Sequence, residues 1–311
     1  MLNKPITLLT TGLALAITFG CSEVNKNELS DVESAQKMEE QVQPPVKAIS
    51  VDRAKLAYAV QSRSDEDKSR DTARHPIETL AFFQVEPGMT VAEALPGGGW
   101  YSKILANYLG ADGTLYGINY NDDMWARFGF FSEEGIKQAI ERTSKFPDML
   151  SEFAEEGPQS SGFTFNSVPE ELAGSVDRVL FIRALHNLSR FESEANTMSG
   201  ALAAAHMLLK KDGLVGVVQH EAPAKNSDKW ADGSAGYLKK SAVIEAFETA
   251  GFELISESDI NENSKDIPTE EEIVWRLPPS YNGTADDPQL KEQVDAIGES
   301  NRMTLLFKKA Q

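Results

Sequence analysis

The sequence predicts an α/β fold: a doubly wound, mostly parallel seven-stranded sheet with helices on both faces. Three observations carry that expectation. Short apolar runs alternate with longer segments of helical periodicity, the pattern of parallel strands joined by crossover helices. The first strand runs into Pro96-Gly97-Gly98-Gly99 and then a helix, a turn in which residues without Cβ let the backbone take positive φ and a ligand approach closely. The last two strands have no helix between them, so the final strand is expected to run antiparallel to its neighbours.

The elements follow in order. Leu56, Ala59 and Val60 mark a first helix, and Ile77, Leu80, Ala81 and Phe83 a second over Pro76–Phe83. Between them Arg63–Asp71 is so charged that it reads as a solvated loop. Strand Thr90–Leu95 leads through the glycines into helix Tyr101–Leu109, closed by Gly110. Strand Gly113–Tyr120 precedes a partly irregular helical region to about Glu156, and strands Gly162–Asn166 and Val176–Arg183 follow. A helix over Ser193–Lys211 ends at an Asp212-Gly213 turn before the strongly apolar strand Leu214–His220. Helix Ser241–Ala250 stops at Gly251 ahead of strand Phe252–Ser258; the proline-rich Asn261–Arg302 is mostly loop, and Met303–Lys308 is the last strand.

The chain divides into three parts. Residues 1–20 read as an export signal: Lys4 supplies the positive start, and Ile6–Phe19 is apolar but too short to span a bilayer comfortably. Residues 21–50 begin at Cys21, the only cysteine, and continue as a polar, acidic tether without apolar periodicity. Residues 51–311 form the globular domain. The Gly20-Cys21 junction resembles the lipobox of bacterial lipoproteins, which implies lipidation at Cys21 and a periplasm-facing outer-membrane lipoprotein. An ordinary signal peptide would instead give a soluble periplasmic or secreted protein. A net charge of −18 and the lack of any basic patch argue against nucleic acid as a partner. A membrane contact is expected only through the lipid at Cys21. The four histidines and one cysteine show no metal-ligand spacing, so no metal is expected.

Several motifs bear on chemistry. Glu93 ends the first strand, and free N–H groups at the start of the following helix face whatever the glycine turn holds. A nicotinamide dinucleotide site would want a third glycine where Ser102 stands, and a purely structural turn is the remaining alternative. Arg70-Asp71, Arg74-His75-Pro76, Pro87-Gly88-Met89, Glu93 to Tyr101, Arg183-Ala184-Leu185-His186-Asn187, Gly251-Phe252 and Asn301-Arg302-Met303 together resemble a family of exported bacterial predicted methyltransferases. The domain resembles the class I S-adenosylmethionine-dependent methyltransferase fold from about Val51 to its end. That resemblance implies S-adenosylmethionine as cofactor and a small-molecule acceptor.

It also implies roles for particular residues. The amino-acid end of the cofactor falls to Glu93, Pro96, Gly97, Gly98 and Gly99, with Leu95 standing where the pattern has another glycine. Asn119 stands where an acid usually grips the ribose, with Asp122 or Asp123 as substitutes, and Asn166 is placed at the adenine edge. His186 and His220, at the carboxyl edge of the sheet, are candidate bases for the methyl acceptor, or else hydrogen-bond neighbouring loops. His206 reads as structural and His75 as a helix cap. S-adenosylmethionine is made in the cytosol, so the export signal favours a second reading: a binding protein that keeps this fold without catalysis.

Overall fold

The computed structural model describes residues 51–310. The expected export signal and tether, with Cys21, lie outside the described residues. The domain is built on one seven-stranded sheet in the order β3-β2-β1-β4-β5-β7-β6. Its strands are β1 Thr90–Ala94, β2 Thr114–Asn119, β3 Gln159–Thr164, β4 Val176–Ile182, β5 Leu209–His220, β6 Phe252–Ser258 and β7 Arg302–Lys309. The first five pair in parallel, whereas β7 lies antiparallel to both β5 and β6. This is the predicted doubly wound fold with its late antiparallel strand.

A central parallel strand is covered on both faces and must be apolar on both. In β1, Val91 packs beneath helices Arg53–Gln61, Pro76–Phe82 and Trp100–Leu109, through Leu56, Leu80 and Ile104. Its neighbours Ala92 and Ala94 face helices Thr197–Leu208 and Lys240–Thr249, through Leu202 and Phe247. The first layer sits so close that a Cβ on Gly216 of β5 would stand 2.4 Å from the Phe83 ring. Winding reverses between β1 and β4, and in open α/β sheets the crevice at the carboxyl ends of such strands binds ligands.

Five elements differ from expectation, each for a local reason. Arg63–Asp71 is not a solvated loop: it contains the short helix Asp65–Lys68, and Arg63 is buried with a bidentate pair to Asp71 at 2.6 and 2.7 Å. Strand β3 starts at Gln159, whose N–H bonds to Gly113 O, and ends at Thr164, whose N–H turns to Ser167 Oγ. The helix expected over Ser193–Lys211 is broken at Asn196, with φ of 51°, where the Glu192 carboxylate accepts from the Met198 and Ser199 N–H groups. Leu209 to Gly213 belong to β5, paired through an irregular register with β4, so Asp212-Gly213 is no turn between a helix and that strand. The proline-rich region is ordered as well: it holds the helix Pro288–Ile297 and a core in which Arg276 pairs with Asp266 at 2.9 Å and Tyr237 donates to the same carboxylate.

Candidate active site

The glycine turn connects β1 to helix Trp100–Leu109, and its backbone alternates in hand. Leu95, Gly97 and Gly99 have φ of 54°, 58° and 77°, while Gly98 between the last two stays out of that region. Glycine takes such values freely; a leucine there costs about 1–2 kcal/mol. Leu95 therefore adopts the conformation of the glycine it stands in for, held by its N–H to Ile118 O at 2.7 Å and by packing of its side chain on the core. At Gly99 a Cβ would stand 3.0 Å from the Phe153 ring and 3.2 Å from Met149 Cε, so the turn is fixed by packing behind it. Gly98 has nothing within 4 Å of where a Cβ would be and presents bare backbone to space.

That space is a cavity of about 570 Å³, whose walls include Pro96, Gly97, Gly98, Asn119, Trp125 and Arg183. The size lies in the range of small-ligand pockets. Asn119 ends β2, and its Oδ1 accepts from the Tyr120 N–H at 2.9 Å, which leaves the Nδ2 donors for a ligand. The rings of Tyr120 and Trp125 meet edge-to-face at 5.1 Å beside it. Asp122 and Asp123 are exposed, and Asp123 is paired with Arg127. Asn166 lies in the turn after β3, where Thr164 Oγ1 donates to its side chain; it does not line this cavity. Two other clefts lack this setting. One of about 960 Å³ lies at the opposite edge of the sheet beside Lys211 and Lys308, and one between helices Thr197–Leu208 and Lys240–Thr249 is lined by Leu202, Ala203 and Val243.

Glu93 stands behind the turn rather than on the cavity wall. It is 4% exposed, and its Oε2 accepts from Ser102 Oγ at 2.6 Å. No Lys or Arg pairs with it among the described residues, and burial pushes its carboxyl up to about 7 against the lesser, opposing pull of Ser102. The protein without ligand thus holds at this point a glutamic acid that is about half protonated near pH 7.

The two candidate bases are brought together, with ring centroids 5.4 Å apart. His186 is 5% exposed and lines neither this cavity nor the neighbouring one. Its Nδ1 lies 3.3 Å from Gln219 Oε1. The Gln219 amide is oriented by donating Nε2 to His220 O and Gly236 O, so its oxygen faces His186 and Nδ1 carries the ring proton. Burial lowers His186 to about 4 despite Gln219, and His220 is driven well below its ordinary value by burial and then by His186 and Arg302. Both rings are neutral. His220 touches Ser300 Oγ at 2.6 Å and faces a second cavity of about 160 Å³, next to the first, whose wall also includes Arg70, Arg183 and Arg302. His75, with φ of 42°, makes no side-chain cap. His206 packs on Phe252. Among the described residues no group of three His, Cys, Asp or Glu is placed to hold a metal, and no helix is long and apolar enough to cross a membrane.

The arginines, Gln219, and Trp275, whose ring lines the second cavity 5.8 Å from that of His186, are what sequence reading missed. Arg70, Arg183 and Arg302 fall within the motifs quoted above, but nothing in their spacing shows that they meet.

No protein-family model and no curated protein matches the chain. Solved structures align with it at low similarity. A SAM-dependent methyltransferase from Aquifex aeolicus aligns at TM-score 0.42 and 17% identity, over 68% of this chain and 94% of its own. The 1,6-didemethyltoxoflavin-N1-methyltransferase of Burkholderia thailandensis, with bound 1,6-didemethyltoxoflavin and S-adenosylhomocysteine, aligns at 0.42 and 10% identity over 94% of each chain. The [4+2]-cyclase SpnF aligns at 0.45 and 16% identity, over 78% of this chain and 80% of its own. All three TM-scores are below 0.5, so the class I methyltransferase fold is assigned here on strand order and direction alone.

The raised carboxyl of Glu93 has a measurable consequence. Its folded value lies above the 4.5 of an ordinary glutamate, so the folded state holds a proton that the unfolded chain releases. Its contribution to stability is fully present below pH 4.5 and is lost as pH rises through about 7. Urea unfolding of the ligand-free protein at pH 5 and pH 8 is therefore expected to show Glu93→Gln stabilised relative to wild type at pH 8, by up to about 3 kcal/mol. An equal shift at both pH values would contradict the assignment.

Proposed function

We propose that this chain is an S-adenosylmethionine-dependent methyltransferase acting on a small acceptor. The observation that carries the reading is the turn at the reversal point of the sheet. Left-handed Leu95, Gly97 and Gly99 shape a cradle of bare backbone that opens on a cavity reaching Asn119.

The residues present fit that cofactor. Pro96, Gly97 and Gly98 suit its amino-acid end, with Glu93 behind them as the charge that an ammonium group would ionise. Asn119 Nδ2 suits a ribose hydroxyl, donating where an acid would accept. Tyr120 and Trp125 offer aromatic surface to the base. When bound, the cofactor supplies a methyl group activated by positive sulfur. The chain's own work is then mainly positioning: the reacting atoms must be held in line and water kept out. His220 contributes a neutral imidazole on the acceptor side. With its basicity so reduced it is a weak base, which suits an acceptor that arrives already deprotonated.

Asn119 favours the second reading, an exported binding protein that retains the fold without methyl transfer, because it does not bring the usual charge to the pocket. Calorimetric titration of the purified protein tests the methyltransferase reading against this one. S-adenosylmethionine and S-adenosylhomocysteine are expected to bind in the micromolar range and to weaken about tenfold or more in Glu93→Ala. Absence of heat at about millimolar ligand would contradict the methyltransferase reading and leave a binding protein whose pocket takes another small ligand. Transfer of labelled methyl to any acceptor then distinguishes enzyme from binding protein.

We also propose export and lipid attachment at Cys21, giving a periplasm-facing lipoprotein; support comes from Ile6–Phe19 followed by the chain's one cysteine. Metabolic labelling with a fatty acid is expected to mark the wild type and not Cys21→Ser, and label retained in the variant would refute this.

A further inference from the structure

The protein is strongly acidic, with a net charge of −18, yet beside the proposed cofactor pocket it concentrates positive charge. Arg70, Arg74 and Arg302 converge on one carboxylate, Glu299: Arg70 at 2.6 Å, Arg74 at 3.6 Å, and Arg302 in closer contact. Arg183 joins this group, and Glu299 is the one acid paired with it among the described residues. One carboxylate does not balance four guanidinium groups. Arg74 and Arg302 are each only 2% exposed, so water does not make up the difference.

Part of the imbalance is met within the fold. Arg302 donates to Ala73 O and Ser300 Oγ, and Arg74 lies over the Trp100 ring at 4.4 Å. Arg183 has no such support. Its Nε is buried without a hydrogen-bond partner, and no ion pair reaches its guanidinium among the described residues. It sits immediately beyond β4 with φ of 58°, its N–H fixed to Val218 O at 2.6 Å. A non-glycine residue in that region is strained, and strain of this kind persists where surrounding structure imposes it. The side chain so placed lines both cavities: the 570 Å³ pocket of the glycine turn and the 160 Å³ pocket with His220 and Trp275.

We propose that the smaller cavity is an oxyanion site, in which Arg70, Arg183 and Arg302 hold a carboxylate or phosphate group of the methyl acceptor. The assignment to the acceptor rests on the methyltransferase reading above; the anion site itself rests on the arginines. Guanidinium groups present paired N–H donors that match carboxylate and phosphate oxygens, and each such bond to an anion is stronger than a neutral one. Burial disfavours the charge on Arg183, and Arg302 and Arg70 disfavour it further, so an incoming anion relieves a repulsion already present. A volume of about 160 Å³ equals on the order of five waters. It therefore admits a small anionic group rather than a polymer. The remainder of the acceptor reaches past Arg183 into the larger cavity, where methyl transfer would occur. The same positive field keeps an acidic acceptor group deprotonated, in accord with the weak basicity of His220.

The test uses the full chain and simple probes, inorganic phosphate and acetate, titrated calorimetrically with and without S-adenosylhomocysteine. At least one probe is expected to bind with millimolar affinity, to bind equally in the presence of S-adenosylhomocysteine, and to weaken about tenfold in Arg183→Gln and in Arg70→Gln. Glu299→Gln, which removes the competing carboxylate, is expected to tighten the same probe severalfold; this opposite sign separates an anion site from general damage to the fold. A preference for phosphate over acetate, or the reverse, identifies the group. Failure of both probes to bind at about 100 mM overturns the proposal, as does binding unchanged by Arg183→Gln and Glu299→Gln. If Arg183→Gln abolishes S-adenosylhomocysteine binding and leaves phosphate untouched, the arginine serves the cofactor's carboxylate and the proposal fails. Arginine-dependent phosphate binding without any binding of S-adenosylhomocysteine supports the oxyanion site and refutes the methyltransferase reading.

Discussion

A carboxyl group sealed behind a turn with no cation beside it is the constraint on which this site depends. Glu93 cannot reach water, and its one side-chain hydrogen bond, from Ser102, only partly offsets the cost of charge. The turn in front of it is held by packing from Phe153 and Met149 and by three residues in left-handed conformation. Backbone N–H groups and a latent negative charge therefore meet at one end of β1. The sheet topology sets that end at the reversal between β1 and β4, where a ligand has room to lie across two strand ends.

Across the cavity the imbalance has the opposite sign. Arg183 faces the same pocket from the end of β4, backed by Arg70, Arg74 and Arg302 against Glu299 alone. A site with a buried carboxyl ready to ionise behind one wall and unmet positive charge on the other selects ligands by charge pattern as well as by shape. A cation-bearing group fits beside the turn and an anion beside the arginines. Neither wall is relieved by the protein itself, so part of the stability of the ligand-free domain is given up to prepare for binding.

Much of this frame was legible in the sequence because its signals are local. An apolar run, an acid, a proline and three glycines define β1, the turn and the helix at Trp100 without help from elsewhere. The antiparallel direction of β7 was expected from the lack of a helix after β6; the direction holds, although helix Pro288–Ile297 does lie between the two strands. Leu95 stands where the pattern has a glycine, and the structure bends it to the same left-handed conformation; tertiary packing overrides its local preference. What stayed hidden depends on residues far apart in the chain. Arg63 lies in a run of charges that ordinarily faces water, and packing under the Trp100 ring, with Asp71 as its partner, buries it. The arginine cluster joins positions from 70 to 302, and no periodicity links them. The relative placement of His186 and His220 turns on Gln219, whose amide holds the first ring inside and leaves the second on a cavity wall.

The central claim is that Glu93 answers a cationic group held by the turn, and proton release measures it directly. Calorimetric binding of S-adenosylmethionine at pH 6, repeated in two buffers of different ionisation enthalpy, counts protons exchanged on binding. Because the Glu93 carboxyl sits at about 7 before binding, it is mostly protonated at pH 6 and must ionise beside an ammonium group. The account predicts release of close to one proton in the wild type and none in Glu93→Gln. Heats that do not depend on the buffer, or that depend on it equally in both proteins, would contradict it.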